Sequence, residues 1–278
     1  MNPEKTLLNC RGQLLDLSSP QVMGIINVTP DSFYDSGKLK SGNDVLLLCE
    51  KMLKEGAVIL DVGGMSTRPG ADEVSEHEEL KRVIPMIELI HKNFSEAIIS
   101  VDTWRSKIAE EAVNAGASIV NDISAGRFDE NFLPTVSKLK VPYILMHIQG
   151  TPQTMQREPT YNDVVKEVFD FLKEKVFHLH QLGIQDIIVD PGFGFGKTVE
   201  HNFQLLNHLE VFKILGLPIL AGLSRKSMIC KVLKVNPDKA LNGTTALNAI
   251  ALMKGTLLLR VHDVKEAREV IELIEMFK

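Results

Sequence analysis

The chain has 278 residues, of which 44% are hydrophobic and 24% are charged. These values suit a single α/β barrel, which needs about 250 residues, and they exclude a disordered chain. The formal net charge of −5 argues against a general nucleic-acid-binding surface, because such a surface depends on clustered Lys and Arg.

The cysteines and the hydropathy of the chain indicate the cellular compartment of the protein. The three cysteines, Cys10, Cys49 and Cys230, are far apart and lie outside any CxxC pattern. We therefore expect buried, reduced thiols and no cysteine metal cluster. The N-terminus lacks a signal-peptide pattern and no apolar run has the length of a membrane span, so we expect a cytoplasmic protein.

Eight short runs rich in Val, Ile and Leu recur along the chain, and each predicts a strand that is buried on both faces. They cover residues 22–27, 57–62, 97–102, 117–122, 141–146, 185–190, 217–222 and 256–261. Amphipathic stretches with helical spacing separate the runs. Several of these stretches end in a glycine that predicts a helix C-terminus, namely Gly56, Gly116, Gly183, Gly216 and Gly255.

This alternation predicts one α/β domain, a (β/α)8 or TIM barrel over residues 21–278. An open, doubly wound sheet would use the same elements, but eight units in this length favour a closed barrel. Residues 1–20 are predicted to form an extension, a short hairpin that covers the bottom of the barrel.

Polar residues lie at or near the carboxyl ends of the predicted strands, where barrel enzymes build their active sites. These residues are Asn27, Asp61, Asp102, Asn121, His147, Asp190, Arg260 and His262. The set predicts an active site at the mouth of the barrel, the open end formed by the carboxyl ends of the strands. For Asp61 and for Asp122, a helix cap or a loop hydrogen bond is an equally good interpretation.

Asp102 and Asp190 each follow an apolar run, so each carboxylate would enter a poorly hydrated mouth and would need hydrogen-bond donors. A flat heterocycle with adjacent amino and ring N–H groups supplies two parallel donors. Asn121 adds an amide, and Lys226 adds a cation that can reach a ring carbonyl or nitrogen. The combination predicts recognition of the edge of a pterin or a purine.

A second group of side chains predicts a phosphate or pyrophosphate site, because Arg and hydroxyl groups bind phosphate oxygens. It contains the cations Arg68, Arg225, Lys226, Arg260 and His262, and the hydroxyls of Ser66, Thr67 and Ser227. A nucleotide P-loop is rejected, because Gly192 lies one residue too close to the Gly-Lys-Thr at 196–198. We expect a flexible glycine-rich loop there instead.

Eight segments, in order and at suitable spacing, resemble the signature segments of dihydropteroate synthases. They are NVTPDSF at 27–33, GGMSTRPGA at 63–71, SVDTWRS at 100–106, VNDISAG at 120–126, MHIQGTPQTMQ at 146–156, DPGFGFGK at 190–197, GLSRKS at 222–227 and RVHDV at 260–264. The likeness runs from about residue 22 to residue 265. Met65, Tyr34 and Ser36 depart from the commonest pattern.

The resemblance implies a homodimeric (β/α)8 barrel that condenses 6-hydroxymethyl-7,8-dihydropterin pyrophosphate with para-aminobenzoate, by a dissociative substitution, to give 7,8-dihydropteroate and pyrophosphate. It assigns the pterin to Asp102, Asn121, Asp190 and Lys226. It assigns the pyrophosphate to Asn27, Thr67, Arg68, Arg260 and His262, with Mg2+ held by Asn27 and Asp35. It assigns para-aminobenzoate and competing sulfonamides to Phe33, Thr67, Pro69, Phe195, Lys226 and Ser227. The catalytic residues it implies are Asp102, Lys226, Asp35 and Arg68.

Three alternatives stay open at this point. A methyltetrahydrofolate-using methyltransferase would share Asp102, Asn121 and Asp190 but would not need the cations. An aldolase would use Lys226 to form a Schiff base. A catalytically silent paralogue would bind the pterin without turnover.

Overall fold

The computed structural model describes residues 5–28, 42–65 and 74–277; residues 1–4, 29–41, 66–73 and 278 lie outside the described part. The first two strands, β1 (Leu7–Cys10) and β2 (Gln13–Asp16), pair as an antiparallel hairpin. Cys10 and Cys49 are buried and Cys230 is half-buried, and all three are free thiols, as the sequence predicts. None of the described helices has the length and apolar character needed to cross a membrane.

Eight parallel strands follow the hairpin and form a closed barrel. They are β3 (Gln21–Asn27), β4 (Ala57–Gly63), β5 (Ile98–Asp102), β6 (Ile119–Asp122), β7 (Tyr143–Met146), β8 (Ile187–Asp190), β9 (Leu220–Ala221) and β10 (Leu258–Val261). Their order is β8-β7-β6-β5-β4-β3-β10-β9, and a parallel bridge between Val189 and Ile219 joins the two ends. The predicted barrel is confirmed: six of the strands lie within their predicted runs, and β3 and β4 each extend one residue beyond theirs.

Helices separate the strands and surround the barrel. They are α1 (Gly42–Lys54), α2 (Glu76–Asn93), α3 (Ser106–Ala115), α4 (Phe132–Leu139), α5 (Val164–Gln181), α6 (Val199–Asn207), α7 (Ser227–Leu233), α8 (Leu241–Met253) and α9 (Val264–Glu275), with 3-10 helices at Leu209–Leu215 and Pro237–Lys239. All five glycines that the sequence places at helix ends have a positive φ. This confirms them as helix-to-strand turns.

Alternation along the strands explains the core. One set of strand residues is buried against the helices: Val22, Leu60, Ile99, Val120, Leu145, Val189, Ala221 and Leu259. The residue beside each of these in its strand lies inside the barrel: Met23, Ile59, Ile98, Ile119, Ile144, Ile188, Leu220 and Leu258. Each buried Ile or Leu stabilises the fold by about 1.5–3 kcal/mol. The hairpin side chains Leu8, Cys10 and Leu15, with Leu17, pack against this interior layer.

One step further along the strands, the interior becomes polar. Because strand side chains alternate between faces, the residues two positions after the apolar layer also point inward. They are Ile25, Asp61, Ser100, Asn121, Met146, Asp190, Gly222 and Arg260. Two residues later, β3 and β5 end in Asn27 and Asp102. The apolar layer thus forms the floor under a polar mouth.

Candidate active site

Arg260 is the centre of a buried charge cluster at the mouth of the barrel. Its Nε donates to Asp61 Oδ2 at 2.6 Å, and its Nη2 donates to Asp102 Oδ2 at 2.7 Å. Asn121 Nδ2 donates to the same oxygen of Asp61 at 3.2 Å. The cluster therefore unites three residues that the sequence assigns to two different ligands, Asp102, Asn121 and Arg260, and it adds Asp61.

The structure separates the two interpretations of Asp61 and Asp122. Asp61 is fully buried inside the mouth and orients Arg260. The carboxylate of Asp122 accepts from Ser124 N at 2.6 Å, Gly126 N at 2.7 Å and Tyr143 Oη at 2.7 Å. Asp122 therefore stabilises a loop through hydrogen bonds, which is the non-functional interpretation of this residue. Asp61 differs because it lies two residues after Ile59 in β4 and so points into the barrel.

Burial shifts the titration of the mouth residues. Desolvation raises the pKa of Asp102 to about 7, although the neighbouring Arg260 acts in the opposite direction. Desolvation also raises the pKa of Asp190, which accepts a hydrogen bond from Gly192 N at 2.7 Å. Desolvation and the charge of Arg260 lower the pKa of Lys226 to about 8. Near neutral pH, the mouth therefore combines a carboxyl, Asp102, that takes up a proton readily with an amine, Lys226, that loses one readily.

Lys226 lies over the aromatic ring of Phe195, with its Nζ 4.1 Å from the ring centroid. This geometry is a cation–π contact, and it places two of the residues assigned to para-aminobenzoate side by side. Ser227, the first residue of α7, is exposed next to them. Phe195 also belongs to an apolar cluster with Met65, Trp104, Ile123, Met146, Ile148 and Met155.

The prediction of a flexible loop after β8 is not supported by the geometry. Gly194 N donates to Asn202 Oδ1 at 2.7 Å, and Gln156 Nε2 donates to Gly194 O at 2.8 Å. Tyr161 Oη donates to Gly196 O at 2.8 Å. Side chains from outside the loop hold these peptide groups in place.

Gly192→Ala is expected to destabilise the protein by about 3 kcal/mol, because the new Cβ would lie 1.9 Å from His147 O at a φ of +73°. Gly183→Ala is the matched control, since Gly183 has a φ of +80° but open space around its Cβ position. Its cost should be the left-handed backbone alone, about 1 kcal/mol. Chemical denaturation measures both values, and equal losses would contradict the steric argument.

Arg225, one of the cations predicted for the phosphate group, forms an ion pair within the protein. Its Nε and Nη2 donate to the two carboxylate oxygens of Asp263 at 3.0 and 2.6 Å. This bidentate pair uses the Nε/Nη2 edge of the guanidinium, and the partner carboxylate offsets the charge that would attract a phosphate. Arg225 therefore ties the loop before α7 to the end of β10, and the sequence could not reveal this partner because it is 38 residues away.

His262 is held by Ser224, a residue that the sequence analysis does not single out. His262 N donates to Ser224 Oγ at 3.2 Å, and Ser224 Oγ lies 2.9 Å from His262 Nδ1. With the serine oxygen accepting from the backbone, its hydroxyl hydrogen is available for Nδ1. This arrangement fixes the orientation of the imidazole ring.

Several predicted site residues lie outside the described part of the chain, namely Phe33, Asp35, Thr67, Arg68 and Pro69. Asn27 is described, half-buried at the end of β3 and paired in register with Gly63. Within the described ranges, no group of three or more His, Cys, Asp or Glu side chains could hold a metal ion.

Comparisons with known proteins agree with this geometry. The sequence profile of the family described as "Pterin binding enzyme" matches residues 23–262. A dihydropteroate synthase of Haemophilus influenzae is 48% identical, over 96% of this chain and 97% of that protein. A Yersinia pestis dihydropteroate synthase solved with a sulfonamide drug superposes with a TM-score of 0.93 at 43% identity, and coverage is 98% of both chains. A Xanthomonas albilineans dihydropteroate synthase with 4-aminobenzoic acid gives 0.91 at 42% identity, again with 98% of both chains covered.

Proposed function

Because the chain belongs to the dihydropteroate synthases of the pterin-binding enzyme family, we propose that its mouth condenses 6-hydroxymethyl-7,8-dihydropterin pyrophosphate with para-aminobenzoate. The products are 7,8-dihydropteroate and pyrophosphate. The observation that carries this proposal is the cluster of Asp61, Arg260, Asp102 and Asn121, in which donors for an anion adjoin acceptors for a heterocycle. Free thiols suit a cytoplasmic location.

The pterin edge would bind to hydrogen-bonding atoms that the internal contacts leave available. Asp102 and Asp190 each use one carboxylate oxygen in the protein, so the second oxygen can accept from a ligand N–H. Asn121 donates to Asp61 through Nδ2, so its amide oxygen can accept as well. The ammonium of Lys226 supplies the complementary donor for a ring carbonyl or nitrogen.

The pyrophosphate would bind to Arg260 and His262, with Asn27 at the neighbouring strand end. Asp61 holds the guanidinium of Arg260 in place before substrate arrives, which removes a reorganisation cost. The contact with Ser224 fixes the orientation of the His262 ring in this subsite. The resemblance adds Thr67 and Arg68 to this subsite.

Para-aminobenzoate, and sulfonamides in competition with it, would bind to Phe195, Lys226 and Ser227, with Phe33, Thr67 and Pro69 from the segments outside the described part. The ring of Phe195 offers an apolar face for an aromatic ligand. The ammonium of Lys226 attracts the carboxylate of para-aminobenzoate or the polar group of a sulfonamide.

In the reaction, the C–O bond between the pterin methylene and the pyrophosphate breaks, and its electron pair leaves on the oxygen. The pterin nitrogen delocalises the resulting cation, which the carboxylates of Asp102 and Asp190 stabilise. Arg260, Arg68 and His262 stabilise the charge that grows on the leaving group. The lone pair of the aniline nitrogen then forms the C–N bond, and that nitrogen loses one proton to solvent.

The donor chemistry at Asn27 fits Mg2+, which prefers oxygen ligands and takes only one or two from the protein when substrate phosphates supply others. We therefore assign Mg2+ to Asn27 and Asp35. When bound, Mg2+ would neutralise charge on the leaving pyrophosphate. Chelation with EDTA is expected to lower kcat/KM at least about tenfold, and Mg2+ should restore it. Full activity in EDTA would contradict this assignment.

We also assign the exposed apolar side chains of α8 and α9 to contact with a second copy of the chain. Ile250 and Met253 on α8, and Leu273 on α9, are between 41% and 73% exposed, and Met276 and Phe277 just after α9 are more exposed still. Exposed apolar patches of this kind mark interfaces. Sedimentation should give a dimer, which Met253→Glu should dissociate.

The experiment that tests the function supplies purified protein with dihydropterin pyrophosphate, Mg2+ and para-aminobenzoate, and measures pyrophosphate and dihydropteroate in parallel. Equal amounts of both products establish the reaction. Binding of the pterin without either product would instead favour the methyltransferase or the silent paralogue. Borohydride trapping of Lys226 with a carbonyl substrate would favour the aldolase.

A further inference from the structure

We infer that Lys197 is a positioning residue that fixes the glycine loop, residues 191–196, and so holds Phe195 against Lys226 in the pocket for the second substrate. This inference rests on the proposed function and assigns the residue no part in making or breaking bonds. The Gly-Lys-Thr at 196–198 resembles the end of a P-loop, whose lysine would extend toward a phosphate, although the spacing of Gly192 rejects that motif. The structure shows that this side chain points elsewhere.

Lys197 is an almost completely buried cation, only 2% exposed. Its Nζ lies 2.9 Å from Gly192 O, 3.0 Å from Phe195 O, 2.9 Å from His147 Nδ1 and 3.4 Å from His147 O. Two of these acceptors, Gly192 O and Phe195 O, lie near opposite ends of the glycine loop, and the other two belong to His147, the residue after β7. One ammonium group therefore closes the loop on itself and fastens it to the barrel.

The acceptors of Lys197 in these hydrogen bonds are uncharged, and the charge of Asp190 stabilises the ammonium from a greater distance. Burial lowers the pKa of Lys197 to about 7, and it lowers the pKa of His147 to about 2, so that the imidazole is neutral and its Nδ1 can accept from the ammonium. A buried ammonium is a costly way to close a turn. The cost is consistent with a requirement for accurate placement of the loop, which an apolar side chain would not provide.

The loop can transmit a displacement because it has little room to relax. A Cβ at Gly196 would lie 2.4 Å from Gln149 O, and one at Gly194 would lie 3.2 Å from Lys226 Cδ. Phe195 lies between these glycines, and Lys197 holds its carbonyl oxygen directly. Loss of the ammonium would thus shift the ring of Phe195 relative to Lys226.

Lys197→Met keeps the length of the side chain but removes its donors. We expect KM for para-aminobenzoate to rise about tenfold, while kcat/KM for the pterin substrate changes less than about threefold, because small misplacements at one subsite have large local effects. A general loss of folded protein would lower kcat and leave both KM values unchanged. A rise in KM for para-aminobenzoate without a matching change for the pterin substrate therefore distinguishes a positioning role from a loss of stability.

A double-mutant cycle with Phe195→Leu tests the route of the effect. If Lys197 acts through Phe195, the double variant should bind para-aminobenzoate about as weakly as the weaker single variant. Additive effects, or equal rises in both KM values, would overturn the inference. Lys197→Gln, which retains one amide donor, should give an intermediate KM and serves if Lys197→Met fails to fold.

Lys254→Met is the matched control. Lys254 Nζ also donates to a backbone carbonyl, Asn207 O, at 2.6 Å, but it lies at the surface after α8. Its KM values should equal those of the wild type. If the wild type forms no dihydropteroate, the proposed function fails; if it does and Lys197→Met shows no KM split, only this inference fails.

Discussion

Arg260→Met is expected to lower kcat/KM for dihydropterin pyrophosphate about a thousandfold, the size of effect seen when a preorganised donor to a developing anion is lost. The same change should destabilise the protein by about 3 kcal/mol, because it leaves the carboxylates of Asp61 and Asp102 buried without their cation. Steady-state kinetics and chemical denaturation measure the two losses separately.

A second substitution distinguishes catalysis from folding at this site. Adding Asp61→Asn to Arg260→Met removes one buried charge, and the new amide oxygen can still accept from Asn121. Asp102 can take up a proton, because burial already raises its pKa to about 7. We therefore expect stability to recover and activity to remain low. Recovery of both would show that Arg260 serves only the fold.

Arg11→Met is the control for the loss of an arginine. Arg11 Nη1 donates to Val113 O at 2.6 Å at the end of α3, beside the hairpin at the bottom of the barrel. Its kcat/KM should match that of the wild type. A comparable loss in this variant would mean that the effect of Arg260→Met is not specific to the mouth.

The fold could be predicted from the sequence because its signals are local. In the run at 185–190, the consecutive apolar residues Ile187, Ile188 and Val189 are fully buried and the polar Asp190 follows them at the mouth, and β8 lies inside that run. The run at 217–222 predicts the length of its strand poorly, because β9 within it has only two residues. Pro218 has no N–H for the strand ladder, and only its carbonyl oxygen takes part, accepting from Val189 N at 2.9 Å.

The contents of the mouth were predictable to the extent that they follow strand periodicity. Asp102, Asn121, Asp190 and Arg260 occupy inward positions of predicted strands, and the structure brings Asp102, Asn121 and Arg260 into one cluster. Pairings between distant residues were not predictable. The sequence does not reveal that Arg225 pairs with Asp263, because no local pattern joins the two.

The pH dependence of kcat/KM for the pterin substrate is expected to be bell-shaped, with limbs near pH 7 and pH 8. Desolvation raises the pKa of Asp102 to about 7, so below this pH the carboxyl is increasingly protonated and loses an acceptor. Activity should then fall about tenfold per pH unit. Desolvation lowers the pKa of Lys226 to about 8, so above this pH the ammonium is lost and activity should fall again.

Two single substitutions test which residue sets each limb of the pH profile. Asp102→Asn should lower kcat/KM about a hundredfold and abolish the acid limb, because the amide cannot be protonated in this range. Lys226→Met should likewise abolish the basic limb and leave the acid limb in place. An acid limb that persists in Asp102→Asn would belong to the substrate or to Asp190, whose pKa burial also raises. In that case Asp102 would bind the pterin without setting the pH at which the enzyme works.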